Sequence, residues 1–108
     1  MNTYKHAGEM LKSFREENHL TQRQLAIKTQ LVDDRDDKDT GGVSVTTLSQ
    51  IEHGERLLSA KYLKLIAATD VFSSKEIEQL YARAALDLIR RQFGSEFPLL
   101  LTRDTLEL

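Results

Sequence analysis

The 108-residue chain predicts an all-α domain of five helices, the last of them extended. Two observations carry this expectation. Thr21, Ser44, Ser59 and Ser73 each stand just before apolar residues spaced three and four apart, the pattern of a capped helix with one buried face. A single proline and five glycines leave few breaks and few strand-favouring turns. A hydrophobic share of 40% suffices for one modest core, so one domain is the natural organisation. The absence of cysteine excludes disulfides and thiolate metal sites. No apolar run approaches a membrane span, and Met1 to His6 lack the apolar centre of a secretion signal, so a cytoplasmic protein is expected.

The first helix is expected over residues 7–18, where Ala7, Met10, Leu11 and Phe14 form the core face and Arg15 lies beside it. The second starts after Thr21, whose pairing with Gln24 has the spacing of a capping box. Leu20 can pack back on Leu25 as a hydrophobic staple, and Ala26 is small where another helix must come close. Gln22 and Arg23 stand at that helix's N-terminus, where free backbone N–H groups favour an anion.

Residues 30–42 read as an acidic loop, with five Asp against Arg35 and Lys38 and a closing Gly41-Gly42. Asp37 to Gly42 resemble the opening of a calcium-binding EF-hand loop. The pattern then fails, with Gly41 at the fifth position and Leu48 where a bidentate Glu is required. A solvated loop is the better reading, and neither a metal nor another cofactor is expected.

The third helix begins after Ser44. Leu48 and Ile51 share its buried face, and Gly54 suits a left-handed stop. Val45, Thr46, Thr47, Ser49 and Gln50 are left on an uncharged, small or polar face. Such a face suits hydrogen bonds and methyl contacts with base edges in a major groove; taken alone, it equally describes a plain surface helix. A fourth helix is expected over residues 59–69.

The fifth helix is expected over residues 74–93, after Ser73 and Glu76 in capping-box spacing. It has two apolar strips. Ile77, Leu80, Tyr81, Ala84 and Leu88 are expected to dock on the core. Ala82, Ala85, Leu86, Ile89 and Phe93 form a second strip, for which a partner subunit is the plainest cover. The alternative cover is the apolar tail at Phe97 to Leu101.

Three blocks in register then resemble the helix-turn-helix domain of the phage repressor and Cro type, the XRE family. They are Gly8-x-x-Leu11-x-x-x-Arg15, Leu20-Thr21-Gln22-x-x-Leu25-Ala26, and Val43-Ser44-x-x-x-Leu48-x-x-Ile51-Glu52-x-Gly54-x-Arg56. The resemblance covers residues 7–72. It implies a DNA-binding core over residues 1–72 with an acidic insertion at 30–42, while residues 73–108 supply the C-terminal helix, the tail and dimerisation. It makes Val45, Thr46, Thr47, Ser49 and Gln50 base-contacting, with Gln50 suited to adenine. Gln22, Arg23, Ser44, His53 and Arg56 become phosphate-contacting, and Arg15 with Glu52 an internal salt bridge. Two features depart from the family pattern: the insertion, and Leu57-Leu58 in place of the usual polar-proline exit.

The expected function is that of a sequence-specific regulator of transcription. It would act as a repressor, a homodimer on a palindromic double-stranded operator. The net charge of −2 implies weak non-specific binding, so a second copy would be needed for affinity. The competing reading is a protein-interaction module of the same fold, such as an antitoxin holding a toxin. An enzyme is not expected, since His6, His19 and His53 are scattered without catalytic spacing.

Overall fold

A computed structural model describes residues 4–33 and 41–93, and these form five α-helices with no strand among them. They are α1 (Ala7–Glu17), α2 (Gln22–Val32), α3 (Val45–Glu52), α4 (Ala60–Ala68) and α5 (Ser74–Phe93). None of the described helices is long and apolar enough to cross a membrane.

Local chemistry accounts for where the helices start. Thr21 Oγ1 accepts from the Gln24 N–H at 3.0 Å, and Gln24 Oε1 accepts from the Thr21 N–H at 2.9 Å, a complete capping box. Ser73 and Glu76 form the same reciprocal pair at 2.9 and 3.1 Å. Ser44 and Ser59 each accept from the backbone three residues on. The cap of α1 is the unexpected one: His6 Nδ1 accepts from the Glu9 N–H at 3.2 Å.

Leu11, Leu25, Leu48, Ile51, Leu63, Ile66 and Leu80 are buried almost completely, and they join Ala7, Phe14, Ala26, Val43, Leu58 and Phe72 in one core. Burying each Leu or Ile side chain contributes about 1.5–3 kcal/mol. Every helix supplies at least one of these residues, so none is an appendage. Leu58, one of the two residues that depart from the polar exit, is a core residue at 4% exposure. Gly8 sets the spacing of α1 and α3, because a Cβ there would lie 1.7 Å from the Ile51 carbonyl oxygen.

The acidic segment begins later than its composition suggests. Gln30, Leu31 and Val32 are helical, and the Asp33 N–H still bonds the Thr29 carbonyl. Gln and Leu are good helix formers, so α2 continues until the aspartates start. Residues 34–40 lie outside the described part, and with them most of the segment weighed for calcium. Their two anchor points are well defined. Asp33 Oδ2 accepts from the Gly42 N–H at 2.7 Å. Thr29, fully buried, accepts from the Val43 N–H at 2.8 Å and donates to the Ala26 carbonyl at 2.7 Å. Gly42 has φ +71°, and a Cβ there would meet Gln30. The route from α2 into α3 is thus held at its base, whatever lies between.

The α5 helix docks differently from the two-strip expectation. Leu80 is its buried anchor, with Ile77 and Ala84 packed beside it, but Tyr81 and Leu88 stay exposed at 38% and 49%. Two polar residues set the docking direction. Asp87 Oδ2 accepts from the Ala7 N–H at 2.7 Å, and an Arg83 Nη2 donates to the Lys5 carbonyl at 2.7 Å. The N-terminus of α1 offers donors that its own helix cannot satisfy, and a carboxylate placed there is stabilised. Within the second strip, Leu86 and Ile89 are half-buried, while Ala82, Ala85 and Phe93 are exposed. The exposed Tyr81 and Leu88 line a groove of about 280 Å³ between α4 and α5, formed with Leu57, Leu58, Leu63, Ala84 and Ala85 among others. Phe97 to Leu101, the alternative cover, lie outside the described residues.

Candidate nucleic-acid interface

The α3 helix presents its uncharged side outward. With successive residues turned by ~100°, Thr46, Gln50 and His53 point most nearly away from the buried Leu48, Ile51 and Glu52. Val45 and Ser49 flank them on one side and Thr47 on the other. Val45 is 40% exposed, which leaves its methyl groups available, and Thr46 is fully on the surface. Ser49, Gln50 and Thr47 are half-buried.

Each of these side chains sits in a definite local arrangement. Thr47 turns towards the start of its own helix, where its Oγ1 accepts from the Ser44 hydroxyl at 3.0 Å. Beside it, Gln30, Ser44, Lys61 and Tyr62 contribute to a polar hollow. His53 Nδ1 lies 2.7 Å from the Ser49 carbonyl oxygen. A carbonyl only accepts, so Nδ1 carries the proton and Nε2 faces outward. Gln50 Oε1 accepts from Arg56 Nε at 2.9 Å.

The position of α3 is governed by a buried ion pair. Arg15 Nε donates to Glu52 Oε2 at 2.8 Å, and Arg15 Nη2 to Glu52 Oε1 at 3.0 Å. Gln22 Nε2 donates to the same Oε1 at 2.9 Å, and Arg15 Nη1 donates to the Leu20 carbonyl at 2.7 Å. Arg15 and Glu52 are 7% and 6% exposed, so one carboxylate ties α1, the turn before α2 and the first residue of α2 to the end of α3. The hydrogen bond with Glu52 raises the Arg15 pKa above its ordinary value and outweighs the opposing effect of burial. The two-point geometry makes the contact directional.

Gln22, expected at a phosphate, is thus half-buried and committed through one amide hydrogen to Glu52. What remains at this end of α2 is its second amide hydrogen, the exposed guanidinium of Arg23 and the free N–H groups of the first helical turn. Ser44, His53 and Arg56 are exposed along or just beyond α3. Lys28 and Lys61 are exposed as well, with Lys61 Nζ 6.0 Å from the centre of the Tyr62 ring.

Four residues that organise this region were not singled out from the sequence. His6 caps α1 and also abuts Gly54, since a Cβ on Gly54 would lie 2.8 Å from His6 Nε2. Thr29 and Asp33 close the base of the insertion, and Asp87 holds α5 to α1. Only Asp33 carried a usable signal, as the first acid after a helical run. Thr29 and Asp87 act through contacts distant in sequence, and His6 is a residue type not favoured as a cap. Among the described residues no group of three His, Asp or Glu side chains could hold a metal ion.

The fold and this face define an all-helical domain with a rigidly held, uncharged polar helix surface. No known family model matches the chain, and neither does a curated protein nor a solved structure.

Proposed function

We propose that this chain is a sequence-specific DNA-binding regulator of transcription, with α3 as the helix that enters the major groove. One observation carries the reading. The outward face of α3 is built from groups that match base edges, and the Arg15–Glu52–Gln22 network holds it in fixed relation to α1 and α2. Arg23, Ser44 and His53, with Gln22's remaining amide hydrogen, would meet phosphates, and these contacts position without specifying.

The reading resembles the repressor and Cro type of helix-turn-helix domain and extends to its mode of action. A chain with few positive charges binds DNA weakly by itself, so a homodimer on a palindrome is proposed, with half-sites about one helical turn, roughly 34 Å, apart. Such a protein works in the cytoplasm, as a repressor and not as an enzyme. The groove flanked by Tyr81 and Leu88, with the exposed Phe93 beyond it, is the proposed pairing surface.

Selection of bound fragments from random duplex DNA tests the proposal directly, with an enriched palindrome as the expected result. The double variant Thr46→Ala, Gln50→Ala should keep its helical circular dichroism and lose discrimination between the selected operator and a scrambled duplex. Unchanged discrimination would remove α3 from the reading role. The exposed Leu31, at 80%, and Ile27, at 47%, favour the second reading, a module that binds another protein through α2. Absence of any enriched sequence would support that reading.

A further inference from the structure

The hydrogen-bonding direction of the outward Gln50 amide is determined by its partner. Its partner, Arg56 Nε, can only donate, so the amide atom 2.9 Å away must be the oxygen. The amide cannot be turned over without placing donor against donor. Arg56 does not reach Gln50 by side-chain chance alone. Gly54, with φ +81°, reverses the chain after α3, and the N–H groups of Glu55 and Arg56 both bond the Gln50 carbonyl, at 2.8 and 3.3 Å. The backbone therefore seats Arg56 over Gln50 before the side chains meet. The Gln50 amide nitrogen has no partner among the described residues, and its two hydrogens are available to a ligand.

From this geometry we infer that Arg56 is a positioning residue that sets the base preference of Gln50, turning it from adenine towards guanine. The inference rests on α3 being the DNA-reading helix. A glutamine pairs with adenine by accepting from N6 and donating to N7. Here the accepting oxygen is engaged by a guanidinium, whose positive charge also opposes the electropositive N6 amino group. The combined edge of Gln50 and Arg56 is dominated by donors: two amide hydrogens and the four remaining hydrogens of the guanidinium, against the one lone pair left on Gln50 Oε1. Guanine shows two adjacent acceptors, N7 and O6, in the major groove, and is the base pair edge that this donor set fits. The competing role for Arg56, a phosphate contact that leaves Gln50 free, makes the opposite forecast for the base.

The test uses the full chain, the Arg56→Ala variant and the Gln50→Ala variant in parallel selections from random duplex DNA. The wild type should enrich guanine at one position of each half-site, and Gln50→Ala should lose the preference at that position alone. Arg56→Ala should keep the rest of the site and change that position to adenine, with relative affinities for the two bases shifting on the order of tenfold. Because the bond between them is exposed, both variants should melt with the wild type, so a fold defect would be visible separately. Adenine enriched by the wild type at the Gln50-dependent position overturns the inference. So does an Arg56→Ala protein that keeps guanine while its log–log salt dependence falls by about one unit, the signature of a lost phosphate contact. If the wild type enriches no sequence, α3 is not a base reader, and that failure is distinct from either of these.

Discussion

Replacing Glu52 by alanine removes three hydrogen bonds to one carboxylate, from Arg15 Nε, Arg15 Nη2 and Gln22 Nε2. Arg15 then keeps only its bond to the Leu20 carbonyl, and a guanidinium at 7% exposure is left without a counter-charge. Each hydrogen bond to a charged group contributes roughly 1.5–3 kcal/mol, but these three share partners and do not sum. Breaking a buried ion pair from one side costs about 3–5 kcal/mol, which sets the expected loss. In a domain of this size that corresponds to a fall in Tm of roughly 15 °C or more. Urea denaturation followed by circular dichroism gives the free energy directly. The companion variant Arg15→Met, Glu52→Leu removes both charges together and should recover most of the loss, because no ion is then left unpaired. A loss below ~1 kcal/mol for Glu52→Ala, or a double variant as unstable as the single one, would refute the assignment of this pair as the tie between α1, α2 and α3.

Gly8→Ala places a methyl group against the Ile51 carbonyl and should cost at least about 1–3 kcal/mol in the same denaturation assay, since α1 and α3 must separate to admit it. Replacing residues 34–40 with a Gly-Ser linker of three residues should leave the helical signal intact. It should change stability by less than ~1 kcal/mol, because the base is held by Asp33–Gly42 and Thr29–Val43 and closure entropy varies slowly with length. Collapse of the helical signal would make the insertion part of the fold. The variant Tyr81→Asp, Leu88→Asp should sediment as a monomer under conditions where the wild type is a dimer. An unchanged dimer would move the interface away from the α4–α5 groove.

Most of the helical scaffold could be read from residue pattern because the governing interactions are local. A cap needs one side chain and a backbone N–H two or three positions on, and Thr21, Ser44, Ser59 and Ser73 supply it. The His6 cap is not legible in the sequence because histidine is not among the residues favoured for that role. Composition says loop for the whole of residues 30–42, but Gln30 and Leu31 are good helix formers and carry α2 on to Val32. Burial explains Leu57 and Leu58, with Leu58 in the core and Leu57 lining the groove.

The candidate site divides along the same line. Periodicity alone separates Leu48 and Ile51 from the outward residues of α3, since 3.6 residues per turn leave no other arrangement. Periodicity says nothing about how Gln50's amide is turned, or that Thr47 faces Ser44, since both depend on where neighbouring side chains come to rest. In α5 the sequence marks the strip around Leu80 for the core, but no local rule chooses which of its residues stay open. The choice is made at the N-terminus of α1, where Asp87 satisfies the Ala7 N–H and Arg83 the Lys5 carbonyl. The residues that form helices are determined by short-range hydrogen bonding and apolar spacing, which one sequence displays. The faces those helices bury or expose depend on unpaired polar groups tens of residues away, and only the folded chain brings them together.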